Sequence, residues 1–240
     1  MLSTRLENEV SSAVPVGIRA VTVDAHGVLL LPDPVAIRSV LNTFNCEPDD
    51  TTCAIAHYRM VRLLDLMHDP DWATMNRSYA QALGVSSSDQ DAAGEILASK
   101  VYLGTSWVPA PGAADALARL VASGYGVAVV SNTEHGEIVD VLARTNLCSV
   151  EGGATKVAAV IDSNVVGIAK PDPRPFEMAF AALNESAATC IHVGDSLHSD
   201  VVGARGVGMH VVHVDPIALC TENDHRHTSS FAAFVSELLA

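Results

Sequence analysis

What this 240-residue sequence has least of is positive charge: 14 lysines and arginines stand against 28 aspartates and glutamates, for a formal charge of −14. A nucleic-acid partner needs a basic face, so that class is excluded from expectation. The same deficit poses a local problem for a small anionic substrate. Positive potential must then come from a metal ion, a particular lysine or backbone amides. Cysteine is sparse too. Cys46, Cys53, Cys148, Cys190 and Cys220 are odd in number, scattered and never spaced C-x-x-C. That argues against a disulfide framework or a zinc site and for a reducing cytoplasm. Long apolar runs are missing: no window approaches the ~18 uncharged apolar residues of a membrane span. The opening MLSTRLENEVSSAVPVG carries Glu7 and Glu9 where a secretory signal has its apolar run. A soluble, cytoplasmic protein without membrane or nucleic-acid partners is expected. There are no internal repeats, and oligomeric state stays open.

What is present is core material, with 49% hydrophobic and 18% charged residues, enough for one large domain or a core with a modest insertion. After a loose tail over the first seventeen residues, Ile18 to Val23 reads as a short β-branched strand ending at Asp24, with a turn at Gly27. Residues 33–105 have helical apolar spacing, with helices expected around Val35–Leu41, Ile55–Met67, Met75–Leu83 and Ala92–Val101 and no strand among them. Pro32 and Pro34 at one end, and Pro109, Pro111 and Gly112 at the other, punctuate this segment as hinges would. Beyond Gly112, strands expected at Val127–Val130, Val157–Ile161, Cys190–Val193 and His210–Val214 alternate with helices at Ala113–Ser123, about Gly136–Thr145 and Pro175–Leu183. The stretch TENDHRHTSS reads as a polar loop before a last helix. Apolar strands separated by helices predict an α/β fold, a doubly wound parallel sheet (residues 1–32 and 106–240) with an inserted α-helical cap (33–105).

Ligands of open parallel sheets bind beyond the carboxyl ends of the strands. Polar residues gather there: Asp24 after one strand, Ser131-Asn132-Thr133 after another, Gly194-Asp195-Ser196 after a third, with Lys170 in the loop AKPDPRPF. One such aspartate alone would read as a helix cap. Four features in this order read as a site.

The segments VTVDAHGVL, VAVVSNT, AKPDPRPFEMA and IHVGDSLHSDVVGARGVGM resemble, in order, the four signature motifs of the haloacid dehalogenase superfamily. The resemblance runs from about residue 18 to 216 and makes the helical insertion similar to the family's mobile cap. It implies a Mg²⁺-dependent hydrolase of small phosphorylated molecules, with Asp24 as covalent nucleophile. Asp24, Asp195 and the His26 carbonyl would hold Mg²⁺, and Asp200 would hold a metal-bound water or orient Lys170. Ser131, the Asn132 amide and Lys170 would bind the phosphoryl oxygens.

One position departs from that pattern. The family's phosphatases carry a second aspartate two residues after the nucleophile, and here His26 stands there. Three readings stay open: His26 takes over as acid/base, the leaving group needs no acid, or only the backbone of His26 counts. DAHG also resembles the DAYG of the superfamily's halide-displacing members, which makes a 2-haloacid dehalogenase the alternative enzyme. The retained Asp195 and Asp200 favour phosphate. A non-catalytic binding or regulatory protein is the alternative outside enzymes. Carbon–phosphorus cleavage is disfavoured because Lys100 is the insertion's only lysine. Arg38, Arg59, Arg62 and Arg77 read as surface pairs, His57, Tyr58 and Trp72 as helix packing, and His225 and His227 as solvated. His210 and His213, three apart in a strand, fall on opposite faces and share no metal.

Overall fold

The computed structural model describes residues 14–67, 71–102 and 106–240. Most of the expected tail and the carboxyl boundary of the insertion at residue 105 lie outside them. In chain order the first half holds β1 (Ala20–Val23), β2 (Leu30–Pro32), α1 (Pro34–Leu41), α2 (Asp50–Leu66), α3 (Trp72–Ala82), α4 (Gln90–Leu97), β3 (Trp107–Pro109), α5 (Ala113–Ala122) and β4 (Gly126–Ser131). The second half holds α6 (Ile138–Arg144), β5 (Cys148–Ser149), β6 (Thr155–Lys156), β7 (Ala159–Asp162), α7 (Ser163–Val166), α8 (Pro173–Leu183), β8 (Cys190–Gly194), α9 (Gly203–Gly206), β9 (His210–Val214), β10 (Arg226–Thr228) and α10 (Phe231–Leu238).

Six strands form one parallel sheet in the order β10-β9-β8-β1-β4-β7. Strand β1 is buried on both faces, as a central strand between helical layers must be. Its Val21 and Val23 pack with Leu117, Leu120, Val127, Val129, Ile191, Val193 and Phe234 on one side, while Ala20 joins Phe176, Cys190 and Ala204 on the other. The chain builds outward from β1 through β4 to β7 on one side and then crosses over to β8 on the other, so a crevice opens at the carboxyl end of β1. That is where Asp24 sits.

The insertion forms its own apolar cluster of Ile37, Leu41, Cys53, Ala56, Tyr79, Ala80, Leu83, Ala93 and Leu97. Aspartates start its helices: Asp33, Asp49 and Asp71 each accept a backbone N–H of the first turn, and Pro34 follows Asp33 at the first helical position.

Several expectations need correction. The hinge segments pair as an antiparallel ribbon, β2 with β3; three residues each are too short to show alternation. The helix expected over Ala92–Val101 starts at Gln90, ends at Leu97 and passes into a π-helical turn, Ala98–Tyr102. The strand placed at Val157–Ile161 runs Ala159–Asp162. Part of the supposed polar loop is strand β10, parallel to β9. Among the described residues no helix is long and apolar enough to cross a membrane.

Candidate active site

Asp24, Ser131 and Asp195 are delivered by the ends of sheet strands or the residue just after them, Lys170 by the turn before α8, and Asp200 by the helical turn Leu197–Val202. Backbone pairing sets Ser131 beside Asp162 and Gly194 beside His213, with Asp24 one residue past the β1 register. Asp24 is anchored through its own N–H to the Val193 carbonyl, and its Oδ1 accepts the Ala25 amide at 2.8 Å. Lys170 Nζ lies 2.9 Å from that oxygen, 2.7 Å from Asp200 Oδ1 and 2.7 Å from the Val130 carbonyl it donates to. Carboxylate oxygens of Asp24, Asp195 and Asp200 all fall within 4.8 Å of one another.

Two glycines make this closeness possible. A Cβ on Gly27, at φ +74°, would stand 1.8 Å from Asp195 Oδ2, and one on Gly194 would stand 2.1 Å from Asp200 Cγ. No side chain fits at either place.

The electrostatics follow from burial. Desolvation, reinforced by Asp200 and Asp195 and opposed by Lys170, pushes the Asp24 carboxyl up to about 7. Burial and the neighbouring Asp200 also hold Asp195 well above the usual carboxylate range. Asp200 goes the other way: burial disfavours its charge, but Lys170 and His192 more than offset that and keep it ionised. Lys170 loses solvation and still rises to about 12, because Asp200 and Asp24 face it. Three carboxylates against one ammonium leave an acidic, oxygen-lined pocket whose unmet demand is for a hard cation. The donor set fits Mg²⁺ or Mn²⁺.

Asp200 has both oxygens engaged. Oδ1 meets Lys170 and His192 Nε2 (3.0 Å), and Oδ2 accepts the Ser196 amide at 3.0 Å. Of its two expected roles, orienting Lys170 is the one this arrangement serves. The Asn132 side chain is likewise committed, bonding both the amide and the carbonyl of Lys170 (2.8 and 2.9 Å), which leaves only its backbone for a ligand.

Ser131 Oγ, His26 Nε2 and Trp107 Nε1 are buried and have no hydrogen-bond partner among the described residues. A buried polar atom without a partner is costly unless a ligand supplies one. The His26 ring packs on Trp107 with centroids 4.1 Å apart. Burial, with His57 and Lys170 nearby, lowers its pKa to about 3.

Three cap residues read from the sequence as packing, or not singled out there, reach this site. His57 Nε2 lies 3.2 Å from Asp195 Oδ2, and Tyr58 donates to the Gly27 carbonyl at 2.8 Å. Asp65 accepts from Ser196 Oγ and from the amides of Leu197 and His198 at 2.7–3.0 Å. All three stand on α2, on one face, which was the available signal. Arg62 shares that face and buries its Nη1 with no partner among the described residues, unlike a surface pair. Arg38 with Asp50 and Arg77 with Asp91 are surface pairs as expected, and Trp72 is exposed. Also missed were Thr22 and His192, cross-strand neighbours whose hydrogen bond (2.8 Å) leads on to Asp200.

Residues 18–208 match the model of the haloacid dehalogenase-like hydrolase family. Among characterised proteins, the glyceraldehyde 3-phosphate phosphatase of Pyrococcus furiosus is 29% identical over 156 residues, covering 64% of this chain and 53% of that protein. The chain thus spans about half the length of that relative. Among solved structures, the magnesium-bound HAD-hydrolase YfnB of Bacillus subtilis superposes with a TM-score of 0.62 at 16% identity, covering 93% of this chain and 99% of that one. The L-2-haloacid dehalogenase of Xanthobacter autotrophicus does so with 0.58 at 16% identity, over 93% and 99%. At such identities both show the fold alone.

Proposed function

The chain belongs to the haloacid dehalogenase-like hydrolases, and from that premise we propose that it is a Mg²⁺-dependent phosphohydrolase of small phosphorylated metabolites working through an aspartyl phosphate on Asp24. The observation that carries this reading is the buried cluster of Asp24, Asp195 and Asp200 against a single lysine, beside the unpartnered Ser131 hydroxyl. Halide displacement at carbon has no use for a surplus of carboxylates. A phosphoryl group brought with a dication matches it in charge. The phosphatase activity named for the P. furiosus relative supports the same choice.

Asp24, Asp195 and the His26 carbonyl would hold the ion, with Asp200 behind them steadying Lys170. When bound, the ion screens the phosphoryl charge and orients its oxygens. In the first half-reaction Asp24 Oδ2 attacks phosphorus while Oδ1 stays fixed by the Ala25 amide and Lys170. The O–P bond forms as the bond to the leaving oxygen breaks. Ser131 Oγ donates to one phosphoryl oxygen, and Lys170 offsets charge on another. In the second half-reaction water attacks the same phosphorus, the Asp24–phosphorus bond breaks, and inorganic phosphate leaves.

His26 decides which substrates are served. With a pKa of about 3 it is neutral at physiological pH. As a neutral imidazole it is too weak an acid to protonate a departing alkoxide, but its Nε2, unpartnered among the described residues, can bond to the attacking water. The preferred substrates therefore carry leaving groups that depart unprotonated, such as acyl phosphates, anhydrides or activated aryl phosphates. His57, Tyr58 and Asp65 hold the cap down on the site, so the cap must lift to admit them.

The test is phosphate release from a panel of esters of graded leaving-group pKa, with Mg²⁺ and with EDTA. Mg²⁺-dependent turnover of aryl or acyl phosphates is expected. Metal-independent halide release from a 2-haloacid would transfer the assignment to dehalogenation, and a metal-binding protein with no turnover on any ester would make it a binder.

A further inference from the structure

The carboxyl-terminal strand assembles a second donor cluster whose chemistry is unlike that of the active site. His213 sits in β9, and His227 is its direct register partner in β10. His225 immediately precedes β10, and Cys220 lies on the loop between the two strands. One donor atom from each of the four falls within 4.8 Å of every other. His213 Nδ1 is 3.1 Å from His225 Nε2, which in turn is 3.8 Å from Cys220 Sγ.

The outer nitrogens settle what the inner ones are. His213 Nε2 lies 3.0 Å from the Asp195 carbonyl, and a carbonyl only accepts, so Nε2 carries the hydrogen. His225 Nδ1 lies 2.8 Å from Asp224 Oδ1, which likewise accepts. The two nitrogens that face each other are therefore both lone pairs in the neutral rings. Both histidines are buried, and two buried acceptors 3.1 Å apart repel unless a cation is shared between them. The third ring, His227, is tied through Nε2, which donates to the Glu222 carbonyl at 3.1 Å and leaves Nδ1, 3.5 Å from Asp215 Oδ2, as its donor atom. Histidine ligands fixed by an outer carboxylate or carbonyl are the usual second layer of a transition-metal site.

The geometry points to a Zn²⁺ site formed by His213, Cys220, His225 and His227. Zinc–nitrogen bonds of about 2.0–2.1 Å and a zinc–sulfur bond of about 2.3 Å place tetrahedral donors about 3.3–3.6 Å apart, and the distances here bracket that spacing. Three imidazoles and a thiolate select a borderline-soft ion over Mg²⁺, so the two sites do not compete. Four protein ligands make the site a closed, structural one that ties β10 to β9. Because His213 also holds the Asp195 carbonyl, the ion steadies the loop carrying an active-site carboxylate. No C-x-x-C spacing announces the site. Parallel pairing of two strands gathers it, against the expectation of solvated histidines and no zinc.

The test uses the full chain, stripped with chelator and then titrated with Co²⁺ as a spectroscopic probe, in excess Mg²⁺ to fill the carboxylate site. One equivalent should bind with tetrahedral d–d bands and a thiolate-to-cobalt charge-transfer band. Competition with a chromophoric chelator should show one equivalent of Zn²⁺ displacing it. Cys220→Ser should abolish the charge-transfer band, and Asp224→Asn, with every ligand intact, should weaken Zn²⁺ about 10–100-fold. His227→Ala, checked for folding by circular dichroism, gives a second ligand deletion that should lower affinity further. A folded parent without the charge-transfer band, or a band that survives Cys220→Ser, overturns the site.

Discussion

Replacing His26 by aspartate isolates the one position at which this chain leaves the pattern of its family's phosphatases. The wild-type ring is buried against Trp107 with a pKa of about 3. At pH 7 that is four units below neutrality, so about one molecule in 10⁴ carries the proton a general acid needs. General acid catalysis contributes about 10²–10⁴-fold when the leaving group is poor. His26→Asp should therefore raise turnover of alkyl phosphates by up to about 10²–10⁴-fold while changing activated aryl phosphates by less than about tenfold. The assay is kcat/KM across an ester series, read as the slope of log rate against leaving-group pKa. The parent should show a steep slope and the variant a shallow one. Equal gains or losses on both classes would refute the argument that His26 leaves the site without an acid.

Three other perturbations probe the charge balance and the packing. Lys170→Met leaves Asp24 and Asp200 facing each other without their shared cation, and breaking a buried pair from one side costs about 3–5 kcal/mol. For a chain of this length that is about 6–20 °C of Tm, measured by thermal unfolding in EDTA; a shift below about 2 °C would show the lysine to be incidental. Gly27→Ala places a methyl inside van der Waals contact of Asp195 and His57, and displacing that carboxylate by about 1 Å should cut kcat about 10²-fold, whereas unchanged turnover would mean Asp195 has no fixed place in the reaction. The Asp24 carboxyl, raised to about 7, must lose its proton before it can serve a cation, so Mg²⁺ affinity should fall as pH drops through about 7. The sign also fixes metal-free stability: the folded state holds the Asp24 proton more tightly than the unfolded chain, so this group's contribution declines as pH rises from about 4 to about 7. Calorimetric Mg²⁺ titration between pH 5.5 and 8.5 checks the first, and a flat affinity would contradict it.

The core was legible because its signals are local. Ala20–Val23 is a valine-rich run that leads into Asp24, and Gly126–Ser131 one that ends in Ser131, and the order of those ends along the chain pointed to Asp24, Ser131, Lys170 and Asp195 as neighbours. The helices of the insertion announce themselves by apolar spacing and by capping aspartates. What stayed hidden depends on contacts between distant segments. His57, Tyr58 and Asp65 look like ordinary polar positions on a helix until α2 is laid over the β8 loop. Strand β10 carries Arg226, His227 and Thr228, a composition with no alternation to read, so its pairing with β9 and the histidine cluster it completes were invisible. The His26 environment needed Trp107, which arrives from 81 positions away on the short ribbon at the base of the cap.

The central claim is a bond between phosphorus and the Asp24 carboxylate, and rapid quench of a turning-over enzyme tests it most directly. Peptide mass spectrometry after acid quench with an acyl or aryl phosphate should place an added phosphoryl group on the peptide containing Asp24. The label should vanish on chase with unlabelled substrate and be absent from a folded Asp24→Asn variant that no longer turns over. Undiminished turnover by Asp24→Asn, or a phosphoryl group trapped on another residue, would contradict the account.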